Sequence, residues 1–186
     1  KVVNDLLEME CFDQLATISE EILKKNPTSV ETNLLAARSL IAAGKAAEAL
    51  PRLEWLVLVD PQSCELQREL ARCNQSIGNS RESYNIRKKI IEKTDACLED
   101  LVDFANAALE VAQPNEVFEV TAKVLAHDPT HAAALALNGA AHALIGENEK
   151  ALASLTQAIE LGTDDPQPWI LLADLYQRQN NLRQAV

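Results

Sequence analysis

Prolines and glycines recur along this chain at a spacing of 34 residues or of twice that length. One series consists of Pro27, Pro61 and Pro129, and the other of Gly44, Gly78 and Gly146. A fixed period of this length is the signature of repeat proteins, in which each repeat is one supersecondary unit that buries its apolar face against its neighbours. The chain is therefore expected to fold as a stack of similar units, and its 186 residues correspond to about five and a half periods.

The amino-acid composition indicates that these units are helical. Apolar residues make up 47% of the chain with only five glycines, which excludes disordered and collagen-like proteins. Aromatic residues make up only 4%, which favours helices over a β-sandwich. The net charge of −11 argues against a nucleic-acid partner, because such proteins present a basic face. No apolar run approaches the roughly 18 residues that a membrane-spanning helix needs, so we expect no insertion into a membrane.

A single ungapped register aligns small and apolar residues along the whole chain. With Val30 as the first position of a repeat, the units span residues 1–29 (partial), 30–63, 64–97, 98–131, 132–165 and 166–186 (partial). Position 8 is then small in the five repeats from residue 30 onward: Ala37, Ala71, Ala105, Gly139 and Ala173. Position 20 is Ala49, Ser83, Val117, Ala151 and Ala185. These mostly small residues predict that the two helices of one unit cross closely there.

This pattern resembles that of the tetratricopeptide repeat (TPR) family, whose 34-residue units are pairs of antiparallel helices, A and B. The last unit matches best, with Trp169 at position 4, Leu172 at 7 and Tyr176 at 11. The resemblance covers the whole chain and implies one all-α domain, a right-handed superhelical solenoid of about five and a half repeats. It places A helices at about 2–9, 30–43, 64–77, 98–111, 132–145 and 166–179. It places B helices at about 12–25, 47–59, 81–94, 114–127 and 149–161.

Several residues depart from the family's pattern. Ala112 stands where other repeats have a turn glycine, Asn138 where leucine is expected, and His142 where tyrosine is expected. The register also cuts the first and last units, so that Val186 falls in the middle of a predicted B helix. We therefore expect the chain to be a piece of a longer protein, with apolar stacking faces exposed at both ends.

The resemblance implies that a partner binds the concave face of the solenoid. In this family, positions 2, 5, 6, 9, 12 and 13 of the A helices usually contact the ligand. Carried over to this sequence, they predict a partner groove formed by Leu34, Arg38, Arg68, Arg72, Val102, Asn106, Ala136, Leu137, Ala140 and Leu144. Members of the family that bind chaperone tails have a lysine at position 5, which no repeat here has, so that ligand is not expected.

Two parts of this groove have two interpretations each. Arg38, Arg68 and Arg72 would hold a carboxylate or phosphate through forked hydrogen bonds. Alternatively, glutamates three or four residues away would neutralise them as ordinary ion pairs. The apolar strip from Ala133 to Leu144 would seat an apolar or helical peptide segment, or it would simply pack within the superhelix.

No motif in the sequence is typical of a catalytic, cofactor-binding or metal site. No nucleophile–base arrangement and no glycine-rich phosphate loop stands out. His127 and His131 flank a predicted turn without a third ligand nearby in the sequence, so we interpret them as solvated turn residues. The four cysteines lack metal-binding spacing and are expected to be reduced, packed thiols of a cytoplasmic protein.

We therefore expect a non-catalytic scaffold that binds a protein or peptide in its concave groove, without a cofactor. One alternative is that the repeats belong to a larger enzyme, such as a transferase, in which they recruit substrate or drive dimerisation. A further alternative is a homo-oligomer that associates through the exposed solenoid ends.

Overall fold

The computed structural model describes residues 12–93, 96–163 and 165–184, with side chains up to residue 178, and this part of the chain is helical throughout, without strands. Its helices are α1 (Phe12–Leu23), α2 (Val30–Ala42), α3 (Ala46–Val59), α4 (Cys64–Ser76), α5 (Ser80–Ile91), α6 (Leu98–Glu110), α7 (Pro114–His127), α8 (Ala132–Leu144), α9 (Asn148–Glu160) and α10 (Gln167–Gln184). The predicted ends of α1 to α9 differ from the observed ones by three residues at most, which confirms the all-α fold class. The A helix predicted at residues 2–9 lies outside the described residues.

The chain divides into two compact units, Lys1–Ile90 and Ile91–Val186. In the first unit, α1 to α4 pack each against the next around a core that includes Leu53 and Leu56. In the second unit, α6 to α10 also pack each against the next, and α8 contacts α6 and α10 in addition. The A helices α6, α8 and α10 therefore form one layer of the second unit.

Helices of one repeat meet at the small residues of positions 8 and 20, as predicted. Ala37 and Ala49 are completely buried in the first unit, and Ala151 is completely buried in the second. Gly139 has no room for a side chain, because a Cβ there would lie 2.7 Å from Cγ of Leu155. The short side chains thus allow the A and B helices of a repeat to approach closely.

The turn from an A helix to its B helix contains a residue in the left-handed backbone region. Gly44, Gly78 and Gly146 have φ angles of 76°, 83° and 81°. Ala112 takes the same place with a φ of 56°, and among the described residues it is the only non-glycine residue with a positive φ. Glycine adopts this conformation without strain, whereas the Cβ of an L-amino acid crowds the following carbonyl oxygen. The turn at Ala112 is therefore strained.

Replacing Ala112 by glycine should stabilise the protein by about 0.5–1 kcal/mol. The left-handed conformation costs an L-residue about 1–2 kcal/mol, and the greater freedom of glycine in the unfolded chain offsets part of the gain. Urea denaturation followed by circular dichroism would measure the difference. The matched reverse change, Gly78→Ala, should lower stability by a similar amount, since a Cβ there meets no atom within 4 Å and only the backbone opposes it. An A112G variant no more stable than the wild type would contradict strain at this turn.

The last helix differs from the sequence prediction. α10 runs without interruption from Gln167 to Gln184, whereas the repeat pattern predicts an A helix that ends near residue 179 and a B helix after it. The prediction is wrong because Asn180 occupies the turn position, and asparagine interrupts a helix less strongly than glycine. Trp169 and Tyr176 of this helix are 56% and 50% exposed, which agrees with the expectation that the last unit leaves apolar residues exposed.

The prediction that the cysteines are packed is correct for one thiol and wrong for another. Cys73 is buried, and its Sγ donates a hydrogen bond to the carbonyl oxygen of Ala46 at 3.1 Å. Burial raises the pKa of this thiol, and the negative charge of Glu54 raises it further. Cys97, which precedes α6, is exposed, and its Sγ donates a hydrogen bond to Oδ2 of Asp100 at 3.3 Å.

Candidate functional site

A cavity of about 490 Å³ opens between α6, α8 and α10, on the A-helix layer of the second unit. Five of the predicted groove residues line it: Val102, Asn106, Ala136, Leu137 and Ala140. The other lining residues are Asp103, Leu109, Glu110, Ala133, Asp165, Gln167, Pro168 and Leu171. The 34-residue period thus brings side chains from three consecutive repeats to one surface.

The alanines of α8 leave space between the two neighbouring A helices. Ala133, Ala136 and Ala140 are three and four residues apart, and therefore share one face of the helix. Their methyl groups form the floor of the cavity, and Leu109 of α6 and Leu171 of α10 stand on either side. Longer side chains at the three alanine positions would fill this space.

A second cavity of about 430 Å³ adjoins the first. The residues that line both are Leu109, Ala140, Gln167 and Leu171. The second cavity includes the predicted groove residue Leu144, which is exposed. It also includes Asp174 and Arg178, whose Oδ2 and Nη2 form an ion pair at 2.7 Å. We call the two cavities together the concave trough.

The larger cavity of the trough has an acidic margin. Asp103 and Glu110 of α6 and Asp165 before α10 line it, and none of its described lining residues is a lysine, arginine or histidine. Oδ1 of Asp165 accepts a hydrogen bond from the backbone N–H of Gln167 at 2.9 Å, which fixes this carboxylate at the start of α10. The trough therefore combines an apolar floor with carboxylates at its edge.

In the first unit, Arg38 and Arg72 of the predicted groove are engaged in ion pairs. Nε of Arg38 donates to Oε1 of Glu69 at 2.6 Å, and its Nη2 donates to Oε1 of Glu65 at 2.8 Å. Nη2 of Arg72 lies 3.5 Å from Oε2 of Glu69. Burial lowers the pKa of Arg38, but the hydrogen bonds and charges of Glu69 and Glu65 outweigh it and raise this pKa above its ordinary value.

The glutamates thus neutralise these two arginines, and Arg38 is paired from α2 to α4 instead of within one helix. The sequence suggests pairs three or four residues apart, and of the pairs described above only that of Arg72 with Glu69 has this spacing. Arg68 is half-buried on α4. Leu34, the remaining predicted groove residue, is half-buried and packs against the core of the first unit.

Several solved structures of helical repeat proteins are similar to this one. MamA matches with a TM-score of 0.73 at 19% identity, over 87% of this chain and 94% of MamA. YrrB, a TPR protein with an unusual peptide-binding site, matches with a TM-score of 0.73 at 18% identity, over 90% of this chain and 86% of YrrB. TTC0263, a thermophilic TPR protein of Thermus thermophilus, matches with a TM-score of 0.65 at 25% identity, over 84% of this chain and 86% of TTC0263. The chain has the TPR fold. No protein-family model matches its sequence, and no curated protein does.

The groove positions of the TPR pattern include most of the trough residues that are not among the ten predicted groove residues. Leu109 and Glu110 stand at positions 12 and 13 of their repeat, and Asp103 and Leu171 stand at position 6. All of these are positions that contact ligands in the family. Asp165 belongs to the turn before an A helix, and no position of the pattern covers it. The carboxylate from this turn was therefore visible only in the structure.

Two departures from the TPR pattern join α8 to neighbouring helices. Nδ2 of Asn138 donates a hydrogen bond to Oγ1 of Thr121 on α7 at 3.2 Å. Nδ1 of His142 lies 2.7 Å from Oε2 of Glu147, just before α9, and its ring centroid lies 4.6 Å from that of Phe118. Both side chains therefore join neighbouring repeats instead of lining the trough.

Of the two histidines that flank the predicted turn, His127 and His131, the second has a local structural role. Nδ1 of His131 accepts a hydrogen bond from the backbone N–H of Ala134 at 3.3 Å, and so caps α8. Within the described residues, no group of three His, Cys, Asp or Glu side chains is arranged to hold a metal ion. None of the helices in this part of the chain is long and apolar enough to cross a membrane.

Proposed function

We propose that this chain is a non-catalytic scaffold that binds a peptide segment of a partner protein in the concave trough of its second unit. The observation that carries the proposal is the larger cavity, whose 490 Å³ lies in the usual range for ligand sites. An apolar floor rewards burial of apolar side chains, and the exposed polar groups at the edge fix the orientation of the segment. Both are features of peptide-binding grooves.

The likeness to YrrB supports this proposal. That protein is a TPR protein with an unusual peptide-binding site, and it shares the fold with 90% of this chain. At 18% identity the likeness concerns the fold, so the site itself is argued from the residues of this chain. The pairing of Arg38 and Arg72 with glutamates favours the second unit over the first as the place of binding.

The test is a selection of random 12-residue peptides displayed on phage against the purified chain, followed by calorimetry with the selected peptides. Ala140→Arg would place a long side chain on the floor that both cavities share. It should weaken binding at least tenfold, in the range of a central contact in an interface. The matched control is Ala153→Arg, which makes the same change at an exposed position of α9.

The control variant should bind within about twofold of the wild type. Circular dichroism would establish that both variants keep their helical content. If the selected peptides bind the Ala140→Arg and Ala153→Arg variants equally well, the trough is not the binding site and the proposal fails.

A further inference from the structure

Almost all of the net negative charge of this protein lies in the second unit. Residues 91–186 contain 15 Asp and Glu against 5 Lys and Arg, a net charge of −10. Residues 1–90 contain 13 against 12, a net charge of −1. A field of one sign near a binding site raises the local concentration of oppositely charged ligands and speeds their association. The unit that contains the concave trough is therefore the one that attracts cations.

The basic side chains of the second unit do not neutralise this charge. Nζ of Lys123 lies 2.8 Å from Oε1 of Glu119, and Nζ of Lys150 lies 3.0 Å from Oε2 of Glu147. Arg178 forms the ion pair with Asp174 that is described above. Each of these cations cancels one carboxylate locally. With 15 acidic residues against 5 basic ones, the unit keeps its large excess of negative charge whatever the pairing.

Part of this excess surrounds the apolar floor. Asp103 and Glu110 lie on α6 and Asp165 lies in the turn before α10, so carboxylates come from both sides of α8. An occupant that buries an apolar side chain against Ala136 and Ala140 brings its flanking residues to this margin. Basic flanking residues would be attracted by the carboxylates there, whereas acidic ones would be repelled.

We infer that the concave trough binds a basic segment of a partner protein, in which one or two large apolar side chains are flanked by lysine or arginine. This inference rests on the proposed function and specifies its ligand. The apolar side chains would occupy the two adjoining cavities, and the basic residues would face the carboxylates at the margin. The net charge of −10 in this unit opposes anionic partners such as acidic peptide tails or nucleic acid.

The experiment uses three synthetic 12-residue peptides with the same leucine and alanine positions, whose remaining positions are all lysine, all glutamine or all glutamate. Fluorescence anisotropy of labelled peptides would measure their affinity for the full chain. At low ionic strength the lysine peptide should bind about tenfold more tightly than the glutamine peptide, the sum of three modest charge contacts. The difference should shrink as salt shortens the Debye length, and the glutamate peptide should bind most weakly.

A charge-neutral triple variant, with Asp103→Asn, Glu110→Gln and Asp165→Asn, tests whether the margin is responsible. The asparagine at 165 keeps an oxygen for the N–H of Gln167. This variant should bind the lysine peptide about tenfold more weakly and the glutamine peptide about as well as the wild type. The matched control removes three exposed carboxylates from the B helices α7 and α9, with Glu119→Gln, Glu149→Gln and Glu160→Gln. This control variant should change the affinity for the lysine peptide little.

The outcomes separate this inference from the proposed function. If all three peptides bind equally and Ala140→Arg abolishes their binding, the trough is a peptide site but the preference for basic segments is refuted. If both triple variants weaken the lysine peptide equally, attraction to the whole surface explains the binding and the inference fails. If none of the three peptides binds, the inference also fails, and the phage selection decides the proposed function separately.

Discussion

Replacing Gly139 by alanine should destabilise the second unit by about 1–2 kcal/mol, although alanine is the better helix former. A Cβ at this position would lie 2.7 Å from Cγ and 3.1 Å from the backbone nitrogen of Leu155. Leu155 is completely buried, and Cγ is its branch point, so it has no free end that moves aside. Overpacking of this kind costs about 1–3 kcal/mol, which exceeds the gain in helix propensity of up to about 1 kcal/mol. Urea denaturation followed by circular dichroism would measure the change.

A double-mutant cycle with Leu155→Ala would identify the cause. Leu155→Ala alone should cost about 2–5 kcal/mol through the cavity that it leaves. In that background Gly139→Ala should be neutral or stabilising, because the clashing Cγ is gone and the helix propensity of alanine remains. As a comparison at the same repeat position, Ala105→Gly should also destabilise. A stabilising effect of Gly139→Ala in the wild type would contradict the close crossing of α8 and α9.

The repeat period predicts the helices of this protein well because each helix is specified by features that recur. Small residues at positions 8 and 20 and the turn residues, most of them glycine, fix the faces and ends of α2 to α9. The period cannot say which member of a column fits a particular neighbour. Alanine is suitable at Ala37 and Ala105, yet Leu155 leaves no space for it at Gly139. Such differences depend on one contact across a repeat and leave no signal in the period.

The candidate site was likewise predictable where it depends on repeat positions, and not where it depends on individual contacts. Positions in the TPR pattern predict that Val102, Asn106 and Ala140 share a surface, because these positions face the same side of every A helix. The ion pairs of Arg38 depend on the rotamers of long side chains on two different helices, so the sequence leaves the alternatives open. The acidic margin depends on Asp165, whose place is set by the turn before α10 and not by a helix position.

Replacing Arg38 by methionine should lower the free energy of unfolding of the first unit by about 1–2 kcal/mol. The side chain of Glu69 is only 10% exposed, and Arg38 provides the hydrogen bond to its Oε1. Its Oε2 is buried without a hydrogen bond, because Arg72 at 3.5 Å does not meet the geometry for one. Removal of one partner of a buried pair costs about 3–5 kcal/mol. Since Arg38 is 42% exposed, solvent reduces the effect toward that of a surface pair.

Two further variants test whether the uncompensated carboxylate is the cause. Adding Glu69→Met to Arg38→Met should restore most of the lost stability, because apolar residues of similar size replace such a pair without loss. Lys123→Met is the matched control, since it removes the cation from the exposed pair with Glu119 and should change stability by less than about 0.5 kcal/mol. Equal losses for Arg38→Met and Lys123→Met would mean that the Arg38–Glu69 pair behaves as an ordinary surface pair. In that case both arginines of the ion-paired cluster would be free to exchange Glu69 for a ligand anion, and the first unit would regain its place as a candidate binding surface.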